Sequence, residues 1–341
     1  MWRRTKDLTL AGTRGFRAHV GATGSMTRAL YDAAGGFDPQ LILGEDIELG
    51  YRLGEAGGVL IPEHDSRAWH LGSSAVMQQR EAINRHNDAA IANLIPGMRP
   101  KRNRRGRFYE RPYLEVVIPG EGNADEVIGC VDAILDSDFD DLRIVLLGQW
   151  DELDDCRRSV LDDPLLDRRI VERTYRADPR VSLVTTLTDE RCPAPFRLTL
   201  DGASYAPVAP ALRALLEDVE RTHEGARVID GVGVLRRTAA VSRALRIGGL
   251  DEVDDLIAQA WGTQSLSAAE AGWVPTPARE VARAEGKLRK PIDPARSRSI
   301  MDATLRGGGA GLTRAPEVPA QSREDDSHDD QRRRGIFGRR R

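Results

Sequence analysis

Residues 113–245 constrain the fold most, because short runs of aliphatic and β-branched residues alternate there with stretches of helical periodicity. The alternation predicts strands at 113–119, 142–147, 181–184, 196–200 and about 226–234. Strands that alternate with helices form right-handed βαβ units and a parallel sheet. The sequence therefore predicts an α/β fold in which helices flank a parallel or mixed sheet.

Composition limits the class of protein. A length of 341 residues indicates about two domains. The three cysteines, Cys130, Cys156 and Cys192, have no CxxC spacing, so we expect neither a disulfide framework nor a zinc site. No apolar run approaches the roughly 18 residues that span a bilayer, and no apolar core follows the charged N-terminus. We therefore expect a cytoplasmic protein.

Two glycines and an acidic pair form an ordered set of signals in the first part of the chain. Gly35 and Gly36 are predicted to end a short helix, because glycine adopts left-handed backbone angles at little cost. Glu45 and Asp46 then open an amphipathic helix that runs to Ala56. The exposed N–H groups of a helix start favour an ionised carboxylate, which suits a general base.

A histidine follows this helix. The apolar residues 59–62 predict a short buried strand, and His70 comes after it. An imidazole is a common metal ligand, although a lone histidine after a strand is also typical of a polar loop. Arg52 lies four residues after Glu48, which is the spacing of a helical ion pair.

These motifs, in this order, resemble the back half of an inverting GT-A glycosyltransferase catalytic domain of the family-2 and galactosyltransferase C-terminal type. The resemblance is carried by Gly-Gly-Phe-Asp at 35–38, Glu-Asp at 45–46 and His70. It covers roughly residues 15–90. Members of this family are nucleotide-diphospho-sugar transferases, so the resemblance implies that fold and that activity.

The resemblance also implies a role for individual residues. Asp46 would be the catalytic base that takes the proton of the acceptor hydroxyl, and Glu45 would orient it or contact the acceptor. His70 would help to hold a divalent cation, Mn²⁺ or Mg²⁺, at the donor diphosphate. The substrate would be contacted by Gly35, Gly36 and Arg52. The plainer alternatives are a helix cap for the acidic pair and an ion pair with Glu48 for the arginine.

Residues 113 to about 245 resemble the front half of the same fold. Where the family has Leu-Asp-x-Asp before a helix, this chain has Leu-Asp-Gly-Ala, in which Asp201 remains and Ala203 offers no metal ligand. Glu121, after the first strand, would face a nucleotide with the wrong charge. We therefore predict that this second unit is degenerate and catalytically inactive.

Four segments are predicted on these grounds. They are the C-terminal part of a GT-A catalytic domain at 1–95, a basic linker at 96–112, a degenerate GT-A-like domain at 113–265 and a mostly disordered tail at 266–341. The first unit is incomplete, since the family's donor-binding half has no counterpart before it. Either the chain starts late or it lacks its own donor site. A rearranged enzyme, with the front half after the back half, is disfavoured by Ala203.

The sequence therefore favours an inverting glycosyltransferase that moves a sugar from a nucleotide-diphospho-sugar donor to a glycan, lipid-linked or protein acceptor. The alternative is a non-catalytic GT-A-like scaffold that binds a partner transferase or a glycan. The arginines at 99–111 and 332–341 are compatible with a peripheral contact at the inner face of the cell membrane, or with a solvated linker and tail. Aromatic residues are scarce there, so no nucleic acid is expected.

Overall fold

The computed structural model describes residues 2–21, 23–41, 43–69, 71–73, 78–99, 108–154, 162–187 and 192–276. They belong to one compact unit, Met1–Gly286. His70, residues 100–107 of the predicted linker and the predicted tail from residue 277 onwards lie outside the described residues.

Nine strands and eight α-helices make up the described part of this unit. The strands are β1 (Leu114–Pro119), β2 (Leu142–Leu147), β3 (Val181–Val184), β4 (Phe196–Leu200), β5 (Tyr205–Pro207), β6 (Ala226–Asp230), β7 (Gly233–Arg237), β8 (Thr263–Ser267) and β9 (Trp273–Pro275). The α-helices are α1 (Arg28–Ala34), α2 (Glu45–Glu55), α3 (Arg80–Leu94), α4 (Ala124–Leu135), α5 (Leu166–Tyr175), α6 (Ala211–Thr222), α7 (Thr238–Ile247) and α8 (Val253–Ala260). Short 3-10 helices lie at Trp2–Thr5, Gly12–Ala18, Pro96–Met98, Trp150–Glu152 and Leu250–Glu252.

A seven-stranded mixed sheet forms the centre of the fold, in the order β3-β2-β1-β4-β7-β6-β8. Strands β3, β2, β1 and β4 are parallel to one another, β7 is antiparallel to both of its neighbours, and β8 is parallel to β6. Strands β5 and β9 pair in a separate two-stranded sheet. The predicted α/β fold, with helices flanking a mixed sheet, is confirmed.

The main core lies between the sheet and the helices that follow its strands. Leu114, Val116 and Ile118 of β1 pack with Val131 and Ile134 of α4, and each is at most 1% exposed. These residues alternate along β1, as expected for side chains that point to one face of a strand. Burial of this face fixes the register of the parallel strands, and with it the position of the loops at their carboxyl ends.

Helix α2 joins the N-terminal segment to the sheet. Its apolar face contacts the 3-10 helix at Gly12–Ala18, where the rings of Phe16 and Tyr51 meet edge to face at 5.5 Å. Arg243 of α7 donates a hydrogen bond of 3.2 Å to the carbonyl of Gly57, just after the end of α2. The N-terminal helices therefore pack within the same compact unit as the sheet.

The strand predicted at 59–62 is wrong. These residues have no regular secondary structure, and Val59 and Ile61 are 56% and 81% exposed. A strand needs a neighbour to accept its backbone hydrogen bonds, and the described part of the chain places none beside this segment. Trp69 and Leu71 are also exposed, at 91% and 92%.

The ordered fold continues past residue 265, where the tail was predicted to begin. Trp273 of β9 is 1% exposed and belongs to the main core, and β9 pairs with β5. None of the helices that the structure describes is long and apolar enough to cross a membrane.

Candidate functional site

The start of α2 carries the predicted catalytic pair. The N-cap is Gly44, which has a left-handed backbone with φ of +83°. The helix start therefore has no hydrogen bond from a capping side chain. Glu45 and Asp46 are therefore the first two residues inside the helix, and the alternative of a helix cap for the acidic pair is wrong. A β-carbon on Gly44 would lie 3.3 Å from Asn87 and Ile91 of α3, so glycine lets the two helices approach closely here.

The two carboxylates at this helix start are half-buried and carry no counter-ion. Oδ1 of Asp46 accepts a hydrogen bond of 2.7 Å from the amide N–H of Ile47. Among the residues that the structure describes, no arginine or lysine forms an ion pair with Glu45 or Asp46. The remaining oxygen of Asp46 is thus available to a proton donor, which is the condition for a general base.

The third acidic residue of the helix is differently placed. Glu48 is 2% exposed, and its carboxylate accepts hydrogen bonds of 2.5–2.8 Å from the guanidinium of Arg52. Arg52 also donates to the carbonyl of Ala34 at the end of α1. The predicted helical ion pair is therefore present and ties α1 to α2. A contact of Arg52 with a substrate stays a prediction.

The glycine pair ends α1, as predicted. Gly35 and Gly36 have φ of +84° and +70°, and the N–H of Gly36 donates to the carbonyl of Tyr31 at 3.0 Å. A β-carbon on Gly36 would lie 3.1 Å from the Tyr31 ring. The turn brings the amide N–H of Phe37 to the Tyr31 hydroxyl at 3.1 Å and leaves the Phe37 ring 46% exposed. Substrate binding by the two glycines stays a prediction.

The residues after β4 do not fit a divalent cation. Asp201 is exposed there, and Ala203, two residues later, is 9% exposed and has no ligand atom. Nowhere in the described ranges do three His, Cys, Asp or Glu side chains come close enough to hold a metal ion. Because His70 is outside those ranges, its role as a ligand stays a prediction, and no reaction step is derived through a metal.

Ligands usually bind at the carboxyl ends of parallel strands where the strand order reverses, which in this sheet is between β1 and β4. In the neighbouring crevice, at the carboxyl ends of β1 and β2, the indole ring of Trp150 is held by a hydrogen bond of 2.9 Å from Nε1 to the carbonyl of Leu146. A β-carbon on Gly120 would lie 2.4 Å from the ring, so only glycine fits beneath it. The ring of Trp150 therefore covers the ends of β1 and β2.

Charged side chains surround the same crevice. Arg168 of α5 donates to Glu121 at 3.1 Å and to Glu152 at 2.6 Å. Glu121, predicted to face a nucleotide, is thus paired with an arginine. The position of the Trp150 ring was not predicted from the sequence. The glycines on either side of Glu121 indicated only that a loop follows β1.

A buried charge cluster lies where α2 meets the sheet, and it was also missed. Burial raises the pKa of Glu55 to about 7, and the negative charge of Glu220 acts in the same direction. The positive charges of Arg111 and Arg237 act to lower this pKa. Glu220 accepts a hydrogen bond of 2.9 Å from the hydroxyl of Tyr113. The cluster couples the end of α2 to α6 and β7.

A further missed residue is His19, which precedes the Gly-rich segment at 20–25. Its side chain is buried, at 8% exposed, and Nδ1 lies 2.8 Å from the backbone carbonyl oxygen of Asp46. The only signal in the sequence was the glycines that follow it.

Comparison with known proteins identifies no family. No protein-family model and no curated protein matches the chain. Solved structures with a similar arrangement include the mannosyltransferase PcManGT of Pyrobaculum calidifontis with GDP-Man and Mn²⁺, at 15% identity and a TM-score of 0.35 over 57% of this chain and 69% of that one. TarS 1–349 of S. aureus has 14% identity and a TM-score of 0.30, covering 45% of this chain and 57% of that one.

Glucosyl-3-phosphoglycerate synthase of Mycobacterium tuberculosis, solved with Mg²⁺ and UDP, is a third similar structure. Its identity is 12% and its TM-score 0.27, over 72% of this chain and 87% of that one. Similarity of this size does not identify a function.

Proposed function

We propose that this chain takes part in inverting sugar transfer from a nucleoside-diphosphate sugar to a hydroxyl acceptor, with Asp46 as the catalytic base. One observation carries the proposal. Asp46 is half-buried in the first turn of α2 without a cationic partner in the described part of the chain, whereas Glu48 on the same helix is neutralised by Arg52. A carboxylate oxygen that has no cationic partner can accept a proton from a substrate hydroxyl.

The chemistry is a single displacement. The acceptor oxygen forms a bond to the anomeric carbon while the bond from that carbon to the diphosphate oxygen breaks, and the leaving nucleoside diphosphate takes the electron pair. The Asp46 carboxylate accepts the proton of the acceptor hydroxyl, which makes the oxygen a stronger nucleophile. Glu45, one residue before it, would orient the acceptor. Attack from the side opposite the leaving group inverts the anomeric centre.

The proposed partners are a nucleotide-diphospho-sugar donor and a glycan, lipid-linked or protein acceptor. Since Trp150 covers the carboxyl ends of β1 and β2, we propose that the donor is held by residues other than those beneath its ring. A lipid-linked acceptor would be met at the inner face of the cell membrane.

The test is the release of nucleoside diphosphate from a panel of UDP- and GDP-sugars by the full chain. We expect release by the wild type and a loss of about a hundredfold or more in Asp46→Asn, which keeps the shape of the side chain but cannot take the proton. Asp65→Asn, at an exposed loop carboxylate, is the matched control and should keep the full rate. Equal rates in Asp46→Asn and wild type, or no release by the wild type, would refute the proposal.

A second candidate, a non-catalytic scaffold, is favoured by a different observation. The ring of Trp150 and the absence of a ligand atom at Ala203 argue against a nucleotide and metal site at this sheet. Calorimetric titration of the chain with UDP and GDP separates the candidates when read with the release assay. A scaffold would bind neither nucleotide and release none, and it would retain glycan binding in Asp46→Asn.

A further inference from the structure

We propose that His19 is a positioning residue for Asp46, acting through a hydrogen bond from its imidazole to the backbone of that residue. The consequence for catalysis rests on the proposed function, but the hydrogen bond itself does not. His19 lies in the segment before α1, and Asp46 lies in the first turn of α2, so the contact joins two distant parts of the sequence.

The geometry determines which ring nitrogen carries the proton. Nδ1 of His19 lies 2.8 Å from the carbonyl oxygen of Asp46, and a carbonyl oxygen accepts hydrogen bonds but cannot donate them. Nδ1 must therefore carry the hydrogen and donate it. In the neutral ring this leaves Nε2 as a bare acceptor.

The other ring nitrogen has no partner. Nε2 of His19 is buried and accepts no hydrogen bond from any residue in the described ranges. A buried acceptor without a partner opposes folding, and an apolar side chain of similar size would avoid that cost. Retaining an imidazole here is therefore better explained by the bond from Nδ1 than by packing alone.

Two glycines make room for the ring, and a third lies beside Asp46. A β-carbon on Gly50 of α2 would lie 2.6 Å from Cβ of His19, and one on Gly24 would lie 3.2 Å from Nε2. A β-carbon on Gly21 would lie 3.5 Å from Cβ of Asp46. The imidazole thus sits in a close-fitting slot between Gly24 and Gly50 of α2, with little freedom to turn.

A fixed backbone at Asp46 helps to place its side chain. The carbonyl carbon and the β-carbon are both bonded to the same Cα, and the amide N–H of the next peptide, that of Ile47, donates to Oδ1 of the carboxylate at 2.7 Å. Displacement of a reacting group by about 1 Å lowers a rate by as much as about a hundredfold. We infer that His19 keeps the Asp46 carboxylate aligned for proton transfer without contacting the substrate itself.

Two substitutions separate positioning from packing. His19→Asn retains a side-chain N–H near the place of Nδ1, whereas His19→Ala removes it. For nucleoside diphosphate release we expect His19→Ala to lower kcat by about tenfold or more with the donor KM within about twofold, and His19→Asn to restore most of kcat. Equal losses in both variants, or a loss confined to KM, would overturn the proposal.

A second readout does not require activity. In ¹⁵N-histidine-labelled full chain, long-range ¹H–¹⁵N spectra should show His19 as the Nδ1–H tautomer at neutral pH, assigned by its disappearance in His19→Asn. Amide exchange at Ile47 and Glu48 should accelerate in His19→Ala but not in His19→Asn. An Nε2–H tautomer would overturn the proposal whatever the activity. If the tautomer is as expected and Asp46→Asn keeps its rate, the proposed function fails and the hydrogen bond stands.

Discussion

At the scale of single residues, Glu55 is a carboxylate whose pKa is shifted by its surroundings. It is the last residue of α2, and its Oε2 atom is buried without a hydrogen-bond partner in the described ranges. Burial raises its pKa from 4.5 to about 7, although Arg111 and Arg237 act in the opposite direction. The folded protein therefore binds a proton at Glu55 more tightly than the unfolded chain does.

The sign of the pH dependence follows from that difference. Between pH 4.5 and about 7 the folded state holds more protons than the unfolded state, so this group lowers the free energy of unfolding as the pH rises. The loss is complete above about pH 7. Glu55→Gln removes the ionisable group, so we expect the variant to be more stable than wild type by about 3 kcal/mol at pH 8 and nearly equal to it at pH 4.5.

Urea unfolding of the Glu55→Gln variant at these two pH values measures the effect. Glu63→Gln, at an exposed loop residue, is the control and should change the free energy of unfolding little at either pH. The same stability difference at both pH values would show that ionisation of Glu55 does not contribute.

The ion pair inside α2 gives a second prediction at this scale. Arg52→Met leaves the carboxylate of Glu48 buried without its partner, so we expect a loss of about 3 kcal/mol in the free energy of unfolding. Adding Glu48→Gln should recover much of that loss, because no charge is then buried. Chemical denaturation of the two variants tests this. Full stability of Arg52→Met, with weakened donor binding, would instead assign Arg52 to the substrate.

The site was only partly predictable from sequence, for a physical reason. Patterns within a few residues predicted the glycine turn at 35–36, the acidic helix start and the pairing of Arg52 with Glu48. His19 and Trp150 were missed because each is a single side chain whose burial depends on residues distant in sequence. The spacing of neighbouring residues in the sequence does not predict a contact of this kind.

At the scale of elements, the turn after α2 makes a close contact with α7. Gly57 has φ of +83°, and a β-carbon there would lie 2.6 Å from the backbone nitrogen of Arg243 in α7. Any other residue would be strained and would push α2 away from α7. Arg246 supports the same contact by donating to the carbonyl of Ala56 at 2.8 Å.

A pair of glycine substitutions tests this contact. We expect Gly57→Ala to lower the free energy of unfolding by about 2 kcal/mol or more, since it adds both a clash and a strained backbone. Gly54→Ala, within α2, has nothing within 4 Å of the new β-carbon and should raise stability by about 0.5–1 kcal/mol. Similar effects of the two substitutions on thermal unfolding would contradict the close docking of α2 on α7.

Strand prediction succeeded where both faces of a strand are covered and failed elsewhere. The parallel strands β1 to β4 lie where their apolar runs predicted. The single strand predicted at about 226–234 is two strands, β6 and β7, that turn at 231–232. Gly233 has φ of +154°, and a β-carbon there would lie 2.1 Å from the carbonyl oxygen of Thr199, so this residue must be glycine. The run at 59–62 has the composition of a strand, but no neighbouring strand pairs with it.

At the scale of the whole described unit, the N-terminal helices and the sheet share a polar contact as well as a hydrophobic one. Glu220 of α6 accepts hydrogen bonds from Thr13 at 3.1 Å and from Tyr113 at 2.9 Å. Thr13 belongs to the 3-10 helix that packs on α2, so this contact also links the helix that carries Asp46 to the sheet. The segment boundaries predicted at 95 and 112 stay a prediction.

The stereochemistry of transfer tests the central claim most directly. If Asp46 acts as a base in a single displacement, the product must have the anomeric configuration opposite to that of the donor. We predict that ¹H NMR of the first-formed product, recorded before mutarotation, will show an inverted anomeric proton coupling for whichever donor the chain accepts. A product that retains the donor configuration would require a different mechanism and would contradict the assignment of Asp46 as the base.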